Sequence, residues 1–184
     1  MSDTTHSEFS GATYFFTARL ADQRSSLLVE EVVLLRQAMR ETIRRYPFEI
    51  DAIVVLPAAV HTIWTLPRGD TDFATRWRFL KTRFAHALLQ NVPQRAEQLA
   101  PRGQGIWQRR FWDHRIRSAH DLAVHRSLIH SAPVQSGLVQ DAKDWAWTSL
   151  HRDHAAAHAR VNRSAPPKFS EMALKTKKTK ASVA

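Results

Sequence analysis

The sequence predicts an α+β domain in which helices pack on an antiparallel sheet. Three observations carry that expectation. Residues 13–20 are rich in aromatic and β-favouring side chains. Two apolar runs, 48–55 and 60–66, are separated by little more than the bend Pro57-Ala-Ala. Two longer segments, 27–45 and 72–90, repeat their apolar residues at helical spacing.

Each element follows from local chemistry. The lead, residues 1–11, is polar and expected to be loose. The run Thr13-Tyr-Phe-Phe-Thr-Ala-Arg-Leu20 reads as a strand. Ser25 or Ser26 then offers a cap to a helix over 27–45, with Leu28, Val32, Leu35, Met39 and Ile43 on one face and Pro47 just past its end. The two apolar runs after it are too closely joined for a crossover and should pair antiparallel. A turn at Pro67-Arg-Gly-Asp70 leads into the second helix, with Phe73, Trp77, Leu80, Phe84 and Leu88 in register. Residues 91–104 form a loop, and 105–117 read as a strand or extended segment. Ser118 can cap a third helix over 119–131 that stops before Pro133. Residues 133–152 read as irregular, anchored by Trp145 and Trp147. The order strand, helix, strand, strand, helix, strand is that of a ferredoxin-like sandwich. Two helices should cover one sheet face, leaving the other for a ligand or a second subunit. The expected organisation is a lead at 1–11, a domain at 12–152 with its extra C-terminal helix, and a basic tail at 153–184.

The chain of 184 residues carries 27 Lys and Arg against 17 Asp and Glu, a net charge of +10 and a pI near 10.8. That balance favours a polyanionic partner. Five lysines against one glutamate after residue 164, with little apolar content, predict a disordered tail. There is no cysteine, which excludes disulfides, thiolate metal sites and cysteine nucleophiles. Neither a membrane-length apolar run nor a signal-peptide pattern is visible, so a cytoplasmic protein with no membrane partner is expected.

Several stretches carry a more specific signal. They are Pro47-Phe-Glu-Ile-Asp-Ala-Ile-Val-Val-Leu-Pro57 with Val60-His61-Thr-Ile-Trp-Thr-Leu-Pro67, and Asp72-Phe-Ala-Thr-Arg-Trp-Arg-Phe-Leu-Lys-Thr82. Further on come Gly105-Ile-Trp-Gln-Arg-Arg-Phe-Trp-Asp-His-Arg-Ile-Arg117, then Ile129-His130, Pro133-Val134, Gly137-Leu-Val139 and Asp144-Trp-Ala-Trp-Thr-Ser149. Together they resemble the REP-associated tyrosine transposases, a branch of the HUH single-strand DNA nucleases. The resemblance implies the same sandwich and DNA as partner, single-stranded or folded as a repeat hairpin. A homodimer, as in related transposases, is a further expectation.

The resemblance also implies a catalytic apparatus. In the family, two histidines flank a hydrophobic residue on a central strand and share one divalent ion, since residues two apart lie on one strand face. A tyrosine on the later helix attacks the phosphate, and an amide one helical turn on completes the metal site. Here the first histidine position is Ala59 and the second is His61. The family's Tyr-Ile-His-Tyr-Asn-Pro reads Leu128-Ile-His-Ser-Ala-Pro133, which puts Leu128 at the nucleophile and Ala132 at the amide. The expectation is therefore a transposase-like DNA-binding protein that has lost cleavage and strand transfer. No cofactor is expected, with magnesium or manganese only for residual activity and His61 as a residual ligand. The alternatives are an active transposase with a non-standard nucleophile and a non-specific nucleic-acid-binding protein. Tyr14 and Tyr46, the only tyrosines, are not on the nucleophile helix, while Ser127 and Ser131 flank the vacant position.

Two basic groups are candidates for nucleic-acid contacts. Arg109, Arg110, Arg115 and Arg117 are interleaved with Trp107, Phe111 and Trp112, a mixture suited to phosphates and stacked bases. Arg76, Arg78, Lys81 and Arg83 share the second helix, and Arg102 lies in the loop. Asp121 with His125 reads as a helix-surface pair, and His154 with His158 as a surface helix turn.

Overall fold

The computed structural model describes residues 11–92 and 105–153. The expected loose lead and basic tail, Arg102, and the pair His154 and His158 lie outside these. Residues up to Leu150 belong to one compact unit and those from His151 to a second. The first is described below.

Four strands form one sheet: β1 (Thr13–Arg19), β2 (Glu49–Val55), β3 (Ala59–Thr65) and β4 (Trp112–Arg115). Their order across the sheet is β2-β3-β1-β4, and every neighbouring pair is antiparallel. The helices are α1 (Leu27–Glu30), α2 (Val32–Arg45), α3 (Phe73–Asn91) and α4 (Ala119–Gln135), followed by a 3-10 turn at Ala142–Asp144. This is the mixed α/β sandwich that the element order implies.

Strand alternation divides the core in two. Tyr14, Phe16 and Ala18 of β1 and Val60 and Trp64 of β3 point to the layer built by α1, α2 and α3. There Trp64 stacks on Trp77 at 4.5 Å, with Phe16, Phe48, Phe73 and Phe111 around them. Phe15 of β1, Ala52 and Val54 of β2, and Ala59 and Ile63 of β3 form a second cluster with Ile129 and Ala132 of α4. Gly11 sits so close to the end of β3 that a Cβ there would lie 2.1 Å from the Leu66 carbonyl oxygen.

Several elements differ from the sequence expectation. The first helix is split at Glu31, and the Leu28 N–H bonds to the Pro57 carbonyl at 3.1 Å, tying the first turn to the β2–β3 bend. Of the extended segment 105–117, only Trp112–Arg115 joins the sheet as a strand. Before it, Trp107 bridges to Leu20. The third helix continues through Pro133 to Gln135. Pro133 has no N–H for the Ile129 carbonyl, and the helix ends two residues after it. The sheet face expected to be open is partly covered, since α4 packs across β2 and β3. After α4, the Trp145 Nε1–H donates to the Val55 carbonyl at 2.9 Å, and Ser149 bonds the Ile53 backbone at both its N–H and hydroxyl. Those contacts close the β2 edge. Among the described residues no helix is long and apolar enough to cross a membrane.

The packed aromatic layer makes a direct prediction. Trp77 is fully buried and stacked, so Trp77→Ala should cost about 3–5 kcal/mol of unfolding free energy. Urea titration of both proteins measures it.

Candidate functional site

The strand pairing decides what surrounds His61. Thr17 of β1 is its cross-strand neighbour, and Trp112 of β4 is the neighbour of Thr17 on the other side. Phe15 and His114 occupy the next row, and Arg19 pairs with Ala59 in the row beyond. The half of this face formed by β1 and β4 therefore presents Arg19, Thr17, Trp112 and His114 beside the half that α4 covers.

His61 is largely buried. Its Nδ1 lies 2.8 Å from the Thr17 hydroxyl, and its ring stacks over Phe15 at 6.1 Å. Burial, with the Arg19 charge second, pushes the imidazole from its ordinary 6.5 down to about 4. At neutral pH it is an uncharged, hydrogen-bonded side chain. Ala59, two residues away on the same strand face, is buried in the cluster that holds Ala132 and Ile129. Leu128 is one helical turn before Ala132 on α4 and 44% exposed. Ala59 and Ala132 thus meet in one apolar cluster, while Leu128 lies on the exposed side of α4.

A divalent ion does not fit this arrangement. Methyl groups stand at two of the three positions that the resemblance assigns to ligands, so the imidazole of His61 is left as a single donor. Among the described residues, three or more metal-ligating side chains come within reach of one another at His114, Asp121 and His125, and His61 is not part of that group. Neither tyrosine reaches this layer. Tyr14 points into the opposite core against Phe73, and Tyr46 packs on Phe79. The Ser131 hydroxyl donates to the Leu128 carbonyl and accepts from Gln135.

Among the basic residues of α3, Arg76 is turned inward and Lys81 and Arg83 are engaged within the protein. Arg76 is 4% exposed. It donates to the Asp70 carboxylate at 2.7 Å and to the Pro47 and Asp72 carbonyls at 2.8 Å, and it holds the Asp70 carboxyl below the usual carboxylate range. Its guanidinium clamps the start of α3 and is closed to a phosphate. Arg83 pairs with Glu41 of α2. Lys81 donates to the Gln108 carbonyl at 2.9 Å above the rings of Trp107 and Phe111, and burial lowers its pKa to about 8. It fastens residues 107–111 to α3. Arg78 is exposed and bonds the nearby Thr75 hydroxyl at 3.2 Å.

The second basic group is placed differently. Arg109, Arg110, Arg115 and Arg117 are all exposed. Arg110 lines a cleft of about 350 Å³ with Arg19, Thr17, Gln108, Phe111 and Trp112. The indole of Trp112 is 54% exposed. Trp107 and Phe111, expected as possible stacking groups, belong to the core layer instead. Arg19, Thr17 and His114 are the site residues that the sequence reading passed over. The alternation of β1 against His61 was the signal for the first two.

Two measurements check this account. The folded pKa of His61 lies below its unfolded value, so on acidification the unfolded chain takes up the proton first. Stability that is full above pH 6.5 should fall as the pH drops toward 4, by up to about 3 kcal/mol. Urea titrations across that window should show the stability gap between wild type and His61→Gln narrowing with acid, and a constant gap would contradict a neutral, buried imidazole. Arg76→Met should destabilise the fold by about 3 kcal/mol, because it strands the Asp70 carboxylate and two carbonyls. Chemical denaturation reads that loss.

Comparison with known proteins places the chain. No family model matches it. A REP-associated tyrosine transposase of Escherichia coli K12 is 44% identical over 146 residues, 79% of this chain and 80% of that protein. A protein of Haemophilus influenzae Rd that bears the same family name is 42% identical over 144 residues, 78% of this chain and 82% of the relative. A solved structure of a REP-associated tyrosine transposase bound to a REP hairpin superposes with a TM-score of 0.70 at 41% identity, covering 84% of this chain and 86% of that one. By these identities and coverages, the chain belongs to the REP-associated tyrosine transposase family.

Proposed function

We propose that this protein binds repeat hairpin DNA or its single-stranded flank, and that it neither cleaves the strand nor transfers it. The observation that carries the second half is the filling of the catalytic layer. Ala59 and Ala132 are packed into one apolar cluster, Leu128 stands at the position the resemblance gives to the nucleophile, and His61 is left as a single donor. Without a metal there is no Lewis acid for the phosphate, and without a tyrosine at position 128 α4 lacks the phenol that the family uses to attack it.

Binding rests on other features. The related transposase of known structure is bound to a REP hairpin. The chain carries a net charge of +10. Arg110 and Arg19 flank a cleft whose wall is the exposed Trp112, a combination that holds a phosphate while a base stacks on the indole. Arg109, Arg115 and Arg117 lie near it in sequence and add positive potential.

Fluorescence anisotropy with a labelled repeat hairpin tests the binding half. Arg110→Ala should weaken binding about tenfold and lower the salt slope by about one, with unchanged stability. Arg76→Met, by contrast, should unsettle the fold. Equal affinity for the hairpin, an unrelated duplex and RNA would replace the specific reading with a non-specific one. Incubation of the same hairpin with magnesium or manganese, followed by a denaturing gel, tests the other half. No nick and no protein–DNA adduct is expected, and an adduct would refute the loss of chemistry.

A further inference from the structure

We propose that His114, Asp121 and His125 bind one borderline divalent cation, of the zinc or cobalt type, where β4 meets α4. The site is separate from the catalytic strand and does not depend on the DNA-binding reading. Phe15 divides the two regions, with its ring 6.1 Å from that of His61 on one side and 4.9 Å from that of His125 on the other.

The donor set is two imidazoles and one carboxylate, which suits borderline ions over the hard ones that prefer oxygen alone. The donors come from two elements. His114 is on β4, while Asp121 and His125 are one turn apart on α4. All three offer a ligand atom within 4.8 Å of the others. The His114 Nε2 lies 3.1 Å from one carboxylate oxygen of Asp121, and the His125 Nδ1 lies 3.0 Å from the other. Two metal–ligand bonds of about 2.1 Å at a tetrahedral angle span about 3.4 Å. These nitrogen–oxygen distances approach the edges of a coordination polyhedron, and binding requires the His125 Nδ1 to exchange its 2.9 Å hydrogen bond with the Asp121 main-chain carbonyl for the ion. The two rings stack at 4.5 Å, and closing on an ion requires them to tilt until their nitrogens converge.

The surroundings hold this set in position. The Arg117 backbone N–H donates to the Asp121 carboxylate at 2.9 Å, and the Ser118 hydroxyl accepts from the Asp121 N–H at 3.0 Å. Trp112 stacks on His114 at 6.0 Å. Such supporting contacts orient ligands and raise affinity. The side chains of His114, Asp121 and His125 are 35%, 22% and 13% exposed, so an ion can reach them from solvent while their neighbours limit their motion. Three protein ligands leave at least one position open to water or an anionic oxygen.

Cobalt titration of the tag-free full chain, followed by visible d–d absorption with zinc as competitor, tests the proposal. One equivalent should bind, zinc should displace it, and zinc should raise the melting temperature. His125→Phe and His114→Phe, which keep aromatic bulk, should each weaken binding at least tenfold, and His61→Ala should leave it unchanged. Histidine modification mapped by mass spectrometry provides a second readout on the unaltered chain. Zinc should protect His114 and His125 and leave the exposed His120 reactive. Absence of a cobalt spectrum at millimolar ion would overturn the site and leave a hydrogen-bonded His–Asp–His bridge. Loss of binding in His61→Ala with retention in His125→Phe would move the ion to the catalytic strand, and equal protection of all histidines would reduce it to scattered surface binding.

Discussion

The antiparallel pairing of β1 with β3 at the centre of the sheet is the constraint on which the rest depends. It sets Phe16 and Trp64 into the helix-covered core, and Thr17 and His61 together on the opposite face. A slip of one residue would exchange the faces. Trp64 would lose its stack on Trp77, and His61 would be driven among aromatic rings with no hydroxyl to meet it. The large aromatic layer therefore fixes the register, and the register fixes the site. The energy that holds the site residues in place comes mainly from the side of the sheet they do not face.

On the site face, alanines at positions 59 and 132 change what α4 does. A strand that holds an ion must keep polar ligands and some water beneath the helix. With methyl groups there, α4 can settle on β2 and β3 through Ile129, Ala132, Ile63 and Val54. At roughly 25 cal/mol per Å² of apolar area, such a seal strengthens docking while removing the space for a hydrated metal. Arg126 adds an ion pair to Asp51 of β2 at the helix's outer side. His61 is a neutral imidazole because burial, with the Arg19 charge second, disfavours its protonated form. On the proposed reading, the alanines that leave the strand without ligands are the same ones that pack α4 against it.

What the sequence disclosed follows the strength of each local signal. The β2–β3 pair, the aromatic face of α3 and the Ser118 cap were legible because alternation, helical period and capping are local properties. The Ser118 hydroxyl does accept from the Asp121 N–H. The break at Glu31 and the short β4 were not, because a contact to Pro57 and a bridge from Trp107 to Leu20 decide them, and those partners are distant in the chain. Arg76 misled for a related reason. A guanidinium in a helix reads as a surface charge unless the carbonyls of Pro47 and Asp72 and the carboxylate of Asp70 are seen around it. His114 was invisible as a partner of His125, since only β4's pairing with β1 brings it over the start of α4.

The same distinction bears on how a basic chain meets a polyanion. Net charge counts every arginine alike, but affinity for phosphate comes from charges not already neutralised by the protein itself. Arg76, Arg83 and Arg126 spend their charge on Asp70, Glu41 and Asp51, and each ties two elements or a turn together. Lys81 is held to the Gln108 carbonyl over two aromatic rings. The arginines around the β1–β4 edge differ, because they remain exposed beside an indole that is itself open to stacking. The β4 edge and the cleft beneath Arg110 thus concentrate the charge that a nucleic acid can still use, although α3 is the richer element in sequence. On the proposed reading that strip makes the phosphate contacts, and the +10 total contributes chiefly to the rate of encounter.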